Sequence, residues 1–556
     1  MKADRIIKNA KIFTADKENP MAAALAVKDG KFIYVGDEAG LSAYEGEVLD
    51  LGGKFIMPGI IDSHVHVTMP VGFEYASIDA LIACRGKKEI LDFMADYVRN
   101  NPGHKRYRFI MEHKNLNGAE IVKEDLDRIC PDTELMIQEG EGHSIWVNSK
   151  ILEKHGITDD TPDPVPGLSY YVRKDGHVTG NIYEGSAEIP IIIDAAMDLT
   201  DEQIDASLER WIRFSMDSGV SCVFDGGIPG AEAFHERVYG RLREMDRQGK
   251  LPVYVDGCFV ISSAREAEKG LKELKRLRDE FDTEHLKVHT LKIFMDGTTK
   301  IHTAAMTEPY ADTGRKGSTA FNKEELADLL KQLNKEGLDL HLHTVGSRAS
   351  QVVLDAVEMA RKELGDGFRV KVTCAHLEVQ DDADLSRFAK LGVFPNYTPH
   401  WHAGLMSGNP YEVYCRLLGE ERAGKMFRSK SVWDTGATVT WSSDNIIFGD
   451  FTSWNPYLGM EVGMTRWINE KTNHYEIART YTEFPTASEK MNIEEMLLGY
   501  TINGAKQLGI ENHKGSITAG KNADFLVFEN DLLTAEKAGF SFNKPAEVYF
   551  GGKKMK

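Results

Sequence analysis

The feature that most constrains this chain is an alternation: through its middle, short apolar β-like runs recur between stretches of helical apolar spacing. Alternation of that kind marks βα units around a parallel sheet, because parallel neighbours need a crossover and a helix supplies it. FNKEELADLLKQLNKEG is one such helix. Asn322 and Glu325 suit a capping box, Leu326, Leu329, Leu330 and Leu333 form one stripe, and Gly337 suits the stop. In the strand that follows, Asp339, His341 and His343 share one face. A second helix opens at Thr200 with Gln203 and closes at Gly219, directly before the strand VSCVFDGG.

Strand candidates between Phe55 and Asp444 number more than eight. The predicted architecture is therefore α/β: a (β/α)8 TIM barrel over residues 58–507 carrying an insertion within 107–190. A doubly wound sheet would need a Gly-rich phosphate turn after an early strand, and none appears. The two ends read differently. VKDGKFIYVG places Asp29-Gly30 where a tight hairpin wants it, and GSITAGKNADFLVFEN and AEVYFGGKK are short strands broken by glycines. Residues 1–57 and 508–556 are predicted to build one composite β-sandwich domain.

Composition narrows the function classes. With 556 residues, 42% hydrophobic and 28% charged, the chain can bury a large core, and it has no low-complexity tract. A net charge of -19 without a Lys/Arg cluster argues against a nucleic-acid partner. No apolar run approaches the ~20 residues that cross a bilayer, and the opening lacks a signal-like core, so a cytoplasmic protein without a membrane partner is expected. Cys84, Cys130, Cys222, Cys258, Cys374 and Cys415 are scattered with no C-x-x-C pair, which fits free thiols.

The chemistry is carried by histidines. In FIMPGIIDSHVH, His64 and His66 stand at i and i+2 of a strand and point to one side, so they can share a metal. Chance alone gives about 0.6 such triplets for this histidine content. The chain has three, the others being His341/His343 and His400/His402. His376 closes VKVTCAH and Asp444 closes ATVTWSSD, both at strand ends where barrel enzymes place catalytic groups. Imidazoles with a carboxylate suit zinc or a similar divalent ion. Each group also has a plainer reading: a hydrogen-bonded core histidine, or for Asp444 a helix N-cap.

The segments MPGIIDSHVH, EGHSIWVNS, LKIFMDG, HTAAMTEPY, HTVGSRA, CAHLE, SSDN, YTINGAKQLG and KGSITAGKNADFLVF occur in one order along the chain. On these the sequence resembles the amidohydrolase superfamily, in its family 3 branch of N-substituted formamide deformylase-like metal-dependent hydrolases. The resemblance implies that His64 and His66 bind one metal, that Lys292 is carbamylated and bridges two, and that His343 and His376 bind the second. It implies that Asp444 contacts metal, takes a proton from the attacking hydroxide and passes it to the leaving nitrogen. On residue chemistry alone Lys292 is equally an ion-paired lysine, and Glu184 in TGNIYEGSA is a rival bridging carboxylate. His143, Trp146, Glu184, His341, Trp401 and His402 are candidate pocket residues. Ser347 replaces an aspartate common in the family, and GTTKIHTA replaces a more Gly/Ser-rich loop, changes that bear on specificity.

The expectation is hydrolysis of a C–N bond in a small amide, N-acyl or N-formyl compound, using one or two divalent ions, zinc foremost, in a homodimer. The alternatives are a deaminase or cyclic amidase on the same barrel, and a non-catalytic regulatory protein.

Overall fold

The computed structural model describes residues 1–68, 81, 83–111, 113–139, 143–194, 196–403, 410–445, 455–467 and 487–556. Its centre is an eight-stranded parallel sheet in which every strand lies beside its sequence neighbours. The strands are β1 (Ile60–Val65), β2 (Val220–Asp225), β3 (Tyr254–Ile261), β4 (Leu286–Phe294), β5 (Asp339–Thr344), β6 (Val372–His376), β7 (Phe394–Tyr397) and β8 (Thr440–Trp441). All six residues of β1 and of β2 are buried, as befits strands covered on both faces. This is the predicted TIM-barrel class.

The barrel closes where β8 meets β1, and the seam is short. Asp444 N–H donates to His64 O at 2.9 Å and His66 N–H to Asn445 O at 3.1 Å. Side chains reinforce it: the Asp62 carboxylate accepts from Ser443 N–H at 2.9 Å and from Ser443 Oγ at 2.6 Å. The residues just past β8 are thereby fixed over the end of β1.

Helices cover the barrel as their patterns require. In Lys323–Glu336, Glu325 N–H donates to Asn322 Oδ1 at 2.9 Å, Asn322 N–H returns to Glu325 Oε2 at 3.0 Å, and Gly337 ends the helix at φ 65°. Its four-leucine stripe is buried. Thr200 and Gln203 close the same box on the helix Asp201–Ser218. Among the described residues no helix is long and apolar enough to cross a membrane.

The surplus strand candidates form a separate five-stranded sheet between β1 and β2, made of Arg106–Met111, Glu134–Glu139, Ser144–Val147, Tyr170–Lys174 and His177–Tyr183. The chain ends build two further sheets. In the six-stranded one, Phe55–Pro58 pairs antiparallel with Phe525–Phe528, so the first and last parts of the chain share a ladder. The four-stranded one contains the hairpin around Asp29 and Gly30, at φ 50° and 75°. Ile7, Leu25 and Phe32 pack with Ile56, Phe525 and Tyr549 between the two sheets, which makes this a sandwich.

Candidate metal centre

Period two in β1 aims His64 and His66 into one end of the barrel, where Asp444 meets them from the β8 side. His64 Nε2 lies 3.1 Å and His66 Nε2 3.2 Å from Asp444 Oδ1, and the three groups offer ligand atoms within 4.8 Å of one another. His376 Nδ1 stands 3.7 Å from the other Asp444 oxygen. The His376 ring is 4.5 Å from that of His343 and 5.0 Å from that of His64. The sequence candidates His64, His66, His343, His376 and Asp444 thus form one cluster.

Space and backbone are shaped for it. Gly226, just past β2, is packed so tightly that a Cβ there would stand 2.8 Å from His64 Nε2. Asp444 and His376 hold φ of 48° and 80°, and Glu184 holds 69°. Such conformations are costly for residues with a Cβ and persist where the surroundings impose them, as at functional sites.

Lys292 projects from β4 toward the same centre. Its Nζ is wholly buried, 5.0 Å over the Phe294 ring, and its charge bears on His64, His341, His343 and His376. Burial pulls its pKa down to about 8. Burial likewise lowers His64 and His343 to about 3 and holds His341 and His376 well below the usual imidazole range. For Asp444 burial acts upward, but His376 and His64 outweigh it and the carboxyl stays well below its ordinary range. We assign neutral rings to His64, His341, His343 and His376 and the negative charge to Asp444.

These groups also leave hydrogen bonds unmade. Lys292 Nζ, His343 Nδ1 and His376 Nδ1 are buried with no hydrogen-bond partner among the described residues, and His64 Nε2 and Asp444 Oδ1, though 3.1 Å apart, are two acceptors when the ring is neutral and the carboxyl ionised, so neither satisfies the other. An unsatisfied buried polar group costs about 1–3 kcal/mol. So many in one place describe a cradle for a ligand that accepts imidazole nitrogen and carboxylate oxygen, and a divalent cation fits that donor set.

The remaining candidates divide. His143 Nδ1 is 2.8 Å from Glu184 Oε2, Thr303 Oγ donates to Glu184 Oε1 at 2.6 Å, and the His143 ring lies 5.9 Å from that of His343. This pair borders the cluster. Trp401, half-buried, stacks on His376 at 5.1 Å and 13°. His341 lies deeper, its Nε2 2.7 Å from His64 Nδ1. Trp146 and His402 sit apart: Trp146 packs in the core of the five-stranded sheet beside His113, and His402 Nδ1 is 3.1 Å from the Arg466 guanidinium.

Two carboxylates were missed. Asp225 accepts from Val67 N–H at 2.9 Å and from Tyr239 OH at 2.9 Å, tying β2 to the segment after His66. Asp296 accepts from Ala305, Val345 and Gly346 N–H at 2.9, 2.9 and 2.8 Å, and one of its oxygens lies 3.6 Å from His343 Nδ1. Both follow or end apolar strand runs, in VSCVFDGG and LKIFMDG, the same signal that pointed to Asp444.

A model of the amidohydrolase family matches residues 47–554. The chain is 26% identical to an N-substituted formamide deformylase of Arthrobacter pascens, over 95% of this chain and 94% of that protein. It is 27% identical to an exoenzymes regulatory protein of Pectobacterium carotovorum subsp. carotovorum, over 72% and 86% of the two chains. A solved structure of an uncharacterized metal-dependent hydrolase from Pyrococcus horikoshii superposes with a TM-score of 0.68 at 22% identity, covering 96% of this chain and 99% of that one, a likeness of fold.

Proposed function

The chain belongs to the amidohydrolase family, and from that premise we propose that it is a metal-dependent hydrolase that cleaves a C–N bond in a small amide, of the N-formyl or N-acyl class. The observation that carries the reading is the convergence of His64, His66 and Asp444 on one buried point. Likeness to a formamide deformylase over nearly the whole chain supports the choice of bond.

His64, His66 and Asp444 would hold one ion, zinc being the ion their donors suit. His343 and His376 would hold a second, with Lys292 between the two if it carries a carbamate. A buried lysine with pKa near about 8 keeps a fraction of free amine at neutral pH, the form that can take up carbon dioxide. When bound, a divalent ion supplies an acidified water and polarises a carbonyl.

The chain's own residues do the rest. Asp444, kept anionic, accepts a proton from the attacking water on its carboxylate and returns it to the departing nitrogen. Trp401, flat against His376, shields that side of the centre. His143, fixed through Nδ1 by Glu184, stands beside His343 and orients the substrate from the five-stranded-sheet side.

The test is a panel of N-formyl, N-acyl and carbamate amides offered to the zinc- or manganese-loaded protein, with Asp444→Asn as control. Acid and amine release by the wild type, lost in the variant, is expected. Silence on every amide sinks the reading. A regulatory role without catalysis has the relative from Pectobacterium in its favour, but such a role would not require a complete ligand set.

A further inference from the structure

His341 differs from the other histidines of the cluster in facing one of them. It is 2% exposed, its ring lies flat on Phe224 of β2 at 4.2 Å and 11°, and its Nε2 is 2.7 Å from His64 Nδ1. His64 is itself fully buried, so that nitrogen is out of contact with bulk solvent. We propose that His341 is a positioning residue that fixes the tautomer and ring orientation of His64 and thereby sets the affinity of the site for a divalent cation. This inference rests on the metal-binding reading of His64, His66 and Asp444.

The argument is one of proton placement. For His64 Nε2 to offer a lone pair toward the point it shares with His66 and Asp444, its proton must sit on Nδ1. The group facing Nδ1 is His341 Nε2, which must then accept, so His341 carries its own proton on Nδ1. A histidine ligand commonly donates its second N–H to a carboxylate or carbonyl, and that partner tunes affinity. Here a neutral imidazole takes the place of the carboxylate, and the stack on Phe224 keeps it from turning away. His341 and His343 share one face of β5, so the strand sends one histidine into the cluster and the other beneath it.

Zinc affinity tests this, measured by competition with a chromophoric chelator on the wild type, His341→Phe and His341→Gln. Phenylalanine keeps the flat ring and the stack but accepts no hydrogen bond, whereas glutamine supplies an amide oxygen. His341→Phe should weaken the tightest zinc about 10- to 100-fold, and His341→Gln should recover part of the loss. Unchanged affinity in His341→Phe, or equal losses in both variants, overturns the proposal. Wild type that binds no zinc would instead sink the metal reading. Should His341→Phe fail to fold, long-range proton–nitrogen NMR of the zinc-loaded wild type decides: His64 protonated at Nδ1 and His341 bare at Nε2 are expected, and the reverse tautomers refute it.

Discussion

A methyl group at position 226 would press on the buried rings of His64 and His66, from 2.8 Å at His64 Nε2 and 3.1 Å at His66, so the two rings themselves must shift. Gly226→Ala is therefore expected to displace the ligands without unfolding the barrel, lowering turnover about 100-fold and reducing bound metal per chain. Full metal content and activity in that variant would contradict the geometry. Glu188 makes a second prediction. It is wholly buried, both its oxygens lack a partner among the described residues, and burial, with Glu184 and Glu139 nearby, pushes its carboxyl well above the usual 4.5. The folded state then holds a proton that the unfolded chain releases, so stability falls as pH rises above about 4.5. Glu188→Gln should remove this slope: its melting temperature relative to wild type should climb between about pH 5 and about pH 8, and parallel curves would disprove it. At this scale the sequence was informative about direction. Strand period alone put His64 with His66 and His341 with His343 on shared faces, but depth along a strand is invisible to period, so His341 read as pocket wall. Trp146, in the predicted insertion, and His402, near a strand end, were likewise legible only as an aromatic and a polar group, because which neighbour they face depends on how separate sheets pack.

Between β8 and β1 the elements meet through side chains more than through a ladder. Asp62 takes both polar hydrogens of Ser443, one residue before Asp444, inside the closed seam. Asp62→Ala leaves those donors buried without an acceptor, at about 1–3 kcal/mol each. It should lower the melting temperature and cut turnover by letting Asp444 drift. An unchanged rate would show that the seam does not position Asp444. ATVTWSSD was readable as a strand end, yet only Thr440 and Trp441 form the strand, since closure is completed by contacts no propensity encodes. The capped helices were the most legible elements: Asn322 with Glu325 and Thr200 with Gln203 are local signals, satisfied within one turn.

Across the whole molecule, Asp524 joins the end domain to the barrel: its backbone O accepts from Gly59 N–H at 3.0 Å immediately before β1, while its side chain pairs with buried Lys514 inside the end domain. Removing one partner of a buried pair costs about 3–5 kcal/mol, and replacing both by apolar groups costs far less. Lys514→Met should therefore destabilise the protein more than Lys514→Met combined with Asp524→Leu, read by denaturant unfolding; the opposite order would refute the buried-pair account. The pairing of Phe55–Pro58 with Phe525–Phe528 was foreshadowed by similar glycine-broken strands at the two ends. The register was not, because strands so far apart in sequence carry no local mark of their partner. The central claim, a hydrolase that works through metal held at His64, His66 and Asp444, is tested most directly by following amide hydrolysis through chelation and reloading. The account predicts loss of turnover on stripping and its return with zinc or manganese in the wild type but not in His64→Ala, and turnover that survives removal of the metal would contradict it.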